Sequence, residues 1–511
     1  MSAGQDGIAS TIAQINNRAG LDLRKIMREM GSARVRTIVG ATAACALVGL
    51  LAACLTGRVA PRPNVYAYEE LPAAIGFPVD ANVLIGAVDA EDMRAMRAHA
   101  WTLWTGLTAP SRSSWNGQRL PIFETWYSAT EVFEDRVHQR PRGFVRELEL
   151  PKQSIHTRSN AATAGPGIMS FVKLNQASAT FIRDNGYYLK RTLDDLQRRY
   201  DATNAPPEQR QIKPFPRQAM ALKIVYWLIK DPASPESERG LTALPFWDPN
   251  YPPPPDGRSP HHLTWTKCVA VDPAGRYAAG TRETVDCNGT PERPRRVEAD
   301  VIGLDRFYTY RLGDREEVEA ARTFMRQMSG GAGEQERFVT KPGQLPEIGD
   351  YVALMAMHVI TKEIDDWTFQ TFWWSPTPDA SPHADFRPRE VRGAWANYLM
   401  CTAYSMVTPR AATGGPHVCF NPYLETDLGP TKPFDVGGRT YPADPMAGTR
   451  SNCMHCHARA GWPALVAGDP FSANLGRIAN LGYLAPNDPY YDRITRTDFL
   501  WSLIFHSQSD R

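Results

Sequence analysis

Two cysteines and a histidine near the end of the 511-residue chain have a spacing that supports a specific chemistry. Cys453 and Cys456 are separated by two residues, and His457 directly follows the second cysteine. Two thiols at this spacing can add across the vinyl groups of a porphyrin and tether it by thioether bonds. The adjacent imidazole is then held close to the iron as an axial ligand, because its nitrogen is a good donor to iron.

The same cysteines could instead form a dithiol redox pair or half of a zinc site. A thioredoxin-like pair would need a strand–helix–strand context, and a structural zinc site would need a second ligand pair at short spacing. The nearest other cysteine, Cys419, stands alone, with His417 two residues before it. The sequence Cys-x-x-Cys-His therefore predicts one covalent haem c, with Cys453 and Cys456 as attachment residues and His457 as iron ligand.

This motif resembles the haem-attachment motif of c-type cytochromes, and the resemblance covers the motif and the C-terminal end of the chain. In the common small cytochromes the motif lies near the N-terminus of the domain, and a methionine ligand follows some tens of residues later. Here the motif is near the end of the chain, and no methionine follows Met454. We therefore expect the haem segment to pack against the preceding residues rather than to form a separate small domain.

Covalent haem attachment of this kind takes place outside the bacterial cytoplasm, and the N-terminal residues resemble an export signal. Arg34 and Arg36 precede the apolar run 37–51, which is too short for a comfortable membrane span. The run ends in Leu-Ala-Ala-Cys, which is similar to a bacterial lipobox and implies that Cys54 is lipidated and becomes the mature N-terminus. A start at Met30 would give a signal of ordinary length.

The alternative is an uncleaved N-terminal membrane anchor, and both interpretations place the bulk of the protein outside the cytoplasm. Leu55 follows Cys54 in place of an aspartate. In Gram-negative lipoproteins this usually accompanies sorting to the outer membrane. The sequence thus predicts a periplasmic lipoprotein whose lipid anchors it to a membrane, most simply the outer membrane.

Composition limits the remaining possibilities. The formal net charge is +2, so no electrostatic field suggests nucleic acid as a partner. Forty-two prolines and thirteen tryptophans are typical of a loop-rich, rigid extracytoplasmic protein. Four cysteines remain after the signal, lipidated and haem-bound ones, and in an oxidising compartment they predict two disulfides. Local pairing, Cys268–Cys287 and Cys401–Cys419, is the economical choice among three connectivities.

The predicted fold class is α+β, a β-rich body with peripheral helices and a C-terminal haem segment. We divide the chain into a signal peptide at 1–53, a proline-rich linker at 54–79, a mainly helical region at 80–215, a β-rich body at 216–440 and a haem-binding region at 441–511.

Hydrophobic periodicity predicts individual elements. The predicted helices are one capped by Asp89 and ended by Gly106, one at 175–200 interrupted at Asn185-Gly186, one at 315–328, and one at 497–506 capped by Thr497 or Asp498. The predicted strands are 221–229, 263–271 and an antiparallel hairpin of 351–360 with 367–374, covered on both faces, while 394–406 is ambiguous.

An electron-transfer haem needs a second axial ligand, and the sequence leaves its identity open. The candidates are Met355, Met357, His358, His417, Met446 and His506. An open, water-bound position is the alternative.

Three functions are compatible with these residues. A monohaem c-type cytochrome would pass single electrons to an unidentified periplasmic partner, and it needs the fewest further features. A haem enzyme acting on peroxide, oxygen or a small substrate would need a distal base, for which His358 with Lys362 or Arg392 is a guess. The third is a haem-containing scaffold or sensor attached to the outer membrane. The size of the upstream body counts against a simple electron carrier, which does not need it.

Overall fold

A seven-stranded antiparallel sheet lies at the centre of the computed structural model. The structure describes residues 66–115, 117–134, 169–248, 265–289, 293–313, 315–328, 345–425, 434–436, 439–441, 451–463 and 483–509. The predicted lipidation site Cys54 and the candidate ligand Met446 lie outside these residues. Helices and several sheets together make the fold α+β, as the sequence predicts.

Most helices of the described residues are short and lie outside the sheets. They are α1 (Ala81–Asp89), α2 (Met93–Thr108), α3 (Ala129–Phe133), α4 (Gln176–Asp184), α5 (Lys190–Ala202), α6 (Arg315–Met328), α7 (Pro422–Glu425), α8 (Cys453–His457) and α9 (Trp501–His506). Short 3-10 helices lie at Ala73–Ile75, Ile122–Thr125, Pro207–Gln209, Leu304–Arg306, Gly393–Asn397 and Pro489–Tyr491. None of the described helices combines the length and the apolar character that a membrane span requires.

The strands range from two to eleven residues. They are β1 (Pro110–Trp115), β2 (Gln118–Pro121), β3 (Tyr127–Ser128), β4 (Met169–Leu174), β5 (Met220–Ile229), β6 (Thr242–Pro245), β7 (Cys268–Asp272), β8 (Arg282–Asp286), β9 (Arg296–Gly303), β10 (Thr309–Arg311), β11 (Tyr351–Thr361), β12 (Thr368–Trp374), β13 (Tyr398–Ala403), β14 (Val407–Thr408), β15 (Gly415–Pro416), β16 (Phe434–Val436), β17 (Arg439–Tyr441), β18 (Gly461–Trp462) and β19 (Thr495–Arg496).

The longest strand, β11, organises the central sheet. On one side β5 pairs with it from end to end, with a register shift at Met355. On the other side β10 pairs with its first residues and β12 with its last six. β13 continues the sheet beyond β12, and β4 and β3 continue it beyond β5. The strand pair predicted at 351–360 and 367–374 is therefore confirmed.

Nearly all residues of strands β5, β11 and β12 are buried, because both faces of the sheet are covered by other parts of the chain. Phe372 of β12 stacks on Trp104 of α2, with ring centroids 4.4 Å apart. Phe369, three residues earlier and thus on the opposite face, packs against the ring of His457 in α8 at 5.0 Å. One face carries helix α2 and the other carries the Cys-x-x-Cys-His motif.

A separate four-stranded sheet has the order β6–β7–β9–β8, with β7 and β9 parallel. The disulfide Cys268–Cys287 joins β7 to the residue that follows β8. The second disulfide, Cys401–Cys419, starts from β13 of the central sheet. Both local pairings predicted from the sequence are confirmed.

Other local predictions are also confirmed. The strand at 221–229 is β5, and the helical stretch at 175–200 is divided at Asn185-Gly186, since α4 ends at Asp184 and α5 begins at Lys190. The helix at 315–328 is α6. Strands β3 and β4 come from region 80–215 and share the central sheet with strands of region 216–440.

Several boundaries differ from the prediction. Asp89 is the last residue of α1, and Asp92 instead caps α2 by accepting a hydrogen bond from the backbone of Ala95. The strand predicted at 263–271 begins at Cys268 in the described residues, and the ambiguous stretch 394–406 is a 3-10 turn followed by β13. The last helix begins at Trp501 rather than 497, because two residues before it have left-handed backbone angles.

Candidate haem-attachment site

The motif helix α8 contains the three residues predicted to bind haem. Its N-cap is Asn452, whose side-chain oxygen accepts a hydrogen bond from the backbone N–H of His455 at 3.0 Å. The amide group of Asn452 also donates to the carbonyl oxygens of Ser405, Met406 and His417 at 2.8 to 3.2 Å. Asn452 thereby fixes the start of the motif helix to the chain that follows β13.

The disulfide Cys401–Cys419 strengthens this attachment. The backbone N–H of Cys419 donates to the carbonyl of Ser451 at 3.1 Å, and Cys419 forms an isolated β-bridge with Asn452. The disulfide ties that bridge to β13 and hence to the central sheet. The disulfide predicted from the number of cysteines therefore lies next to the first residues of the motif helix.

His457 has the orientation and charge state of a metal ligand. Its Nδ1 lies 2.7 Å from the carbonyl oxygen of Phe499, and since a carbonyl can only accept, Nδ1 carries the proton. The lone pair is then on Nε2, which has no hydrogen bond among the described residues. Burial, partly offset by the Phe499 hydrogen bond, lowers the pKa of His457 to about 4, so the ring is neutral at neutral pH. A neutral imidazole oriented by a backbone carbonyl is the usual arrangement of a ligating histidine.

The carbonyl that orients His457 is presented by a strained turn. Asp498 and Phe499 have φ angles of 50° and 66°, a left-handed conformation that is costly for a residue such as phenylalanine. The Asp498 carboxylate holds the turn by accepting from the ammonium of Lys362 at 2.6 Å and from the backbone N–H of Phe215 at 2.8 Å. Lys362 therefore supports the turn beside His457.

The two motif thiols are protonated at neutral pH. Both cysteines are free, Cys453 buried and Cys456 half-buried. Burial, with a smaller contribution from the negative charge of Glu425, raises the pKa of Cys453 well above its ordinary value and that of Cys456 to about 12. Dithiol redox sites lower a cysteine pKa instead. The thiol environment therefore disfavours a thioredoxin-like site.

A second histidine lies against the motif. Nδ1 of His358, in β11, is 3.8 Å from Sγ of Cys453, and its Nε2 is 3.6 Å from a carboxylate oxygen of Glu425. One donor atom from each of these three residues lies within 4.8 Å of the others. Burial, followed by the positive charge of Lys223, lowers the pKa of His358 well below its ordinary value. The histidine is therefore a neutral donor next to the predicted attachment residue.

The other candidates for a second ligand have different surroundings. Both ring nitrogens of His417 are engaged, Nδ1 with the hydroxyl of Thr408 at 2.9 Å and Nε2 with the carbonyl of Thr402 at 2.8 Å. Met357 neighbours His358 in β11 and so faces the opposite side of the sheet. His506 lies against the ring of Phe133 at 5.5 Å.

The residues guessed as partners of His358 in a haem enzyme are not next to it. The ammonium of Lys362 is bound to Asp498, and the guanidinium of Arg392 donates to the carbonyl of Arg389 at 3.0 Å. The structure places Glu425 beside His358 instead. Nothing in the sequence marks Glu425, which belongs to a four-residue helix. Lys223 could have been singled out, because it is the charged residue of an otherwise apolar strand.

The donor set fits a covalently bound haem. Within β11 the interior residues from 352 to 357 are buried, whereas the side chain of His358 keeps 12% of its surface accessible. Glu425, at 18%, and the half-buried Cys456 and His457 also keep accessible surface at the same place. The site thus combines two thiols, an oriented imidazole and access from outside, on a face lined by Phe369.

Comparisons with known proteins do not indicate a function, so the assignment depends on the chemistry of the site. No protein family model matches the chain, and neither curated proteins nor solved structures give a significant match.

Proposed function

We propose that this chain is a monohaem c-type cytochrome that transfers single electrons in the periplasm. Cys453 and Cys456 would hold the haem by thioether bonds, and His457 would ligate the iron. The observation that carries the proposal is the hydrogen bond from Nδ1 of His457 to the carbonyl of Phe499. It fixes the tautomer in which Nε2 is the ligand atom, and such an outer partner is typical of metal-binding histidines.

The haem would supply a one-electron redox couple, and the protein would set the environment of the haem. Phe369 packs against the ring of His457, and Phe499 packs against Phe369. The charges of Glu425 and Lys223 act on the motif with opposite signs, as the pKa shifts of Cys456 indicate. Burial and local charge are the main means by which a protein adjusts a haem potential.

The proposed setting follows from the N-terminal signal. The chain would be exported, lipidated at Cys54 and anchored by that lipid, with the body in the periplasm. Its redox partner is unidentified. The net charge of +2 gives no support to a nucleic-acid partner.

The second candidate is a haem-dependent oxidoreductase with an open coordination site. It is favoured by the accessible pair of His358 and Glu425, because an imidazole next to a carboxylate can move a proton to or from a small bound molecule.

A redox titration combined with a peroxide assay tests the proposal. Protein produced with a haem c maturation system should show a haem absorption band that titrates as a single one-electron couple, with little peroxide turnover. Rapid peroxide turnover that falls with a Glu425→Gln change would favour the second candidate. A protein without a titrating haem band would contradict both.

A further inference from the structure

We propose that His358 supplies the second axial ligand of the haem iron, an inference that rests on the haem attachment proposed above. The motif contains one histidine suited to the iron, and β11 brings a second imidazole to within 3.8 Å of the attachment residue Cys453. Residues nearly one hundred positions apart in sequence thus meet at a single site.

The register of the central sheet fixes this position. Across four strands, His358 pairs with Lys223 on one side and with Thr371 on the other, and Thr371 pairs with Cys401. Side chains of laterally paired residues point to the same face of a sheet. The Cys401–Cys419 disulfide therefore projects from the face that carries His358, and Cys419 is bridged to the N-cap of the motif helix. Histidine and motif are held to one surface by covalent and hydrogen-bonded links.

Glu425 has the position of an outer partner for this histidine. Its carboxylate lies 3.6 Å from Nε2 of His358, and one donor atom from each of Glu425, His358 and Cys453 lies within 4.8 Å of the others. The other carboxylate oxygen accepts from the backbone N–H of Asn421 at 2.6 Å, and the Asn421 amide donates to the hydroxyl of Thr371 at 2.7 Å. The carboxylate is thereby tied to the strand next to His358. A carboxylate next to a ligating imidazole orients the ring and increases its basicity.

A second histidine ligand has a functional consequence. Two strong axial ligands give a low-spin, six-coordinate iron that exchanges electrons and leaves no position for a substrate. This ligation would favour the electron-transfer function over the open-site enzyme.

Spectroscopy of the wild-type protein gives the first test, and it requires no variant to fold. Near-infrared magnetic circular dichroism distinguishes a bis-histidine from a histidine–methionine haem, and electron paramagnetic resonance separates low-spin from high-spin iron. We expect a low-spin bis-histidine signature. A high-spin or histidine–methionine signature would overturn the inference.

Variants then identify the residue. His358→Ala should lose the low-spin signal and bind carbon monoxide readily in the ferrous state, and adding imidazole to His358→Gly should restore the low-spin signal. His417→Gln, close to the motif, and Met446→Leu, a candidate outside the described residues, should keep the wild-type spectrum. If His358→Ala keeps the wild-type spectrum, another group is the ligand. Haem staining of denatured protein is a separate readout, and its absence from wild type would defeat the haem proposal itself.

Discussion

The two disulfides form a matched pair that separates a general effect on stability from a specific effect on the haem site. Cys401–Cys419 closes a loop with a sequence separation of 18 residues, and Cys268–Cys287 closes one of 19. All four cysteines are buried. Replacing Cys401 and Cys419 by alanine should change the haem site. Replacing Cys268 and Cys287 by alanine should leave it unchanged.

The expected effect on global stability is the same for both. In the chain-entropy model a cross-link that closes a loop of this length restricts the unfolded chain by about 3 kcal/mol. The difference between the two loop lengths is worth less than about 0.1 kcal/mol by the logarithmic dependence on loop length. Both double alanine variants should therefore lose about 3 kcal/mol of unfolding free energy.

The expected effect on the haem site differs. Cys419 is bridged to Asn452, the N-cap of the motif helix, whereas Cys268 and Cys287 lie in the separate four-stranded sheet. Without the Cys401–Cys419 bond, the motif should open locally before the body unfolds.

Urea unfolding followed in parallel by haem absorption and by tryptophan fluorescence measures both effects. In Cys401→Ala/Cys419→Ala the haem transition should occur at lower urea than the fluorescence transition, with less haem bound per protein. In Cys268→Ala/Cys287→Ala the two transitions should stay as close together as in the wild type. Equal separation of the transitions in both variants would refute the reasoning.

Three further predictions concern buried and partly buried charges. Glu425→Gln, which removes a negative charge, should raise the haem midpoint potential, and Lys223→Met, which removes a positive charge, should lower it. Each shift should be on the order of 50 to 100 mV in a redox titration, as for a nearby charge in a partly screened site. Shifts of the same sign in the two variants would contradict this account. Asp498→Asn should destabilise the protein by about 2 kcal/mol in denaturant unfolding, because it leaves the buried ammonium of Lys362 without its carboxylate. The same change should raise the haem midpoint potential in a redox titration. Asp350→Asn should destabilise the protein by about 2 kcal/mol, because Lys230 and Asp350 form a fully buried ion pair at 2.8 Å and only the more exposed carboxylates of Glu236 and Glu347 would remain with the ammonium. Burial alone would lower the pKa of Lys230, but the hydrogen bonds and charges of Asp350 and then of Glu236 raise it above 10.5. The folded state therefore holds this proton more tightly than the unfolded state, so the stability from the pair is present below pH 10.5 and is lost as the pH rises further.

Controls accompany the last of these predictions. A Lys230→Met/Asp350→Leu double variant should cost less than Asp350→Asn alone, since it removes the buried ammonium together with its fully buried carboxylate. Its free energy of unfolding should also lack the loss above pH 10.5 that the pair gives the wild type. A double variant as unstable as the single one would show that packing, rather than the buried ammonium that lost its buried partner, dominates.

Local features were predictable from the sequence because local interactions decide them. The hairpin of β11 and β12 and the break at Asn185-Gly186 depend on neighbouring residues, and both are present. The two disulfides follow from an even number of cysteines around turn-forming segments. The cap of α2 was misplaced by three residues because Asp89 and Asp92 are both suitable N-caps.

Features that depend on the order of strands in the sheet could not be predicted from the sequence. Strand β4 joins β5 in the central sheet although it lies in the region expected to be mainly helical. The meeting of His358, Glu425 and Cys453 depends on the same topology, since the three residues come from β11, α7 and α8. The sequence contained each donor, but no local pattern brought them together.

Covalent haem attachment at the motif is the central claim, and intact-mass measurement of denatured protein tests it most directly. Wild-type protein produced with a haem c maturation system should carry the added mass of one haem after denaturation and organic extraction. A Cys453→Ala/Cys456→Ala variant should have the mass of the polypeptide alone, while His457→Ala, which keeps both thiols, should retain some attached haem. Wild-type protein without the added mass, or a double-alanine variant that still carries it, would contradict the account.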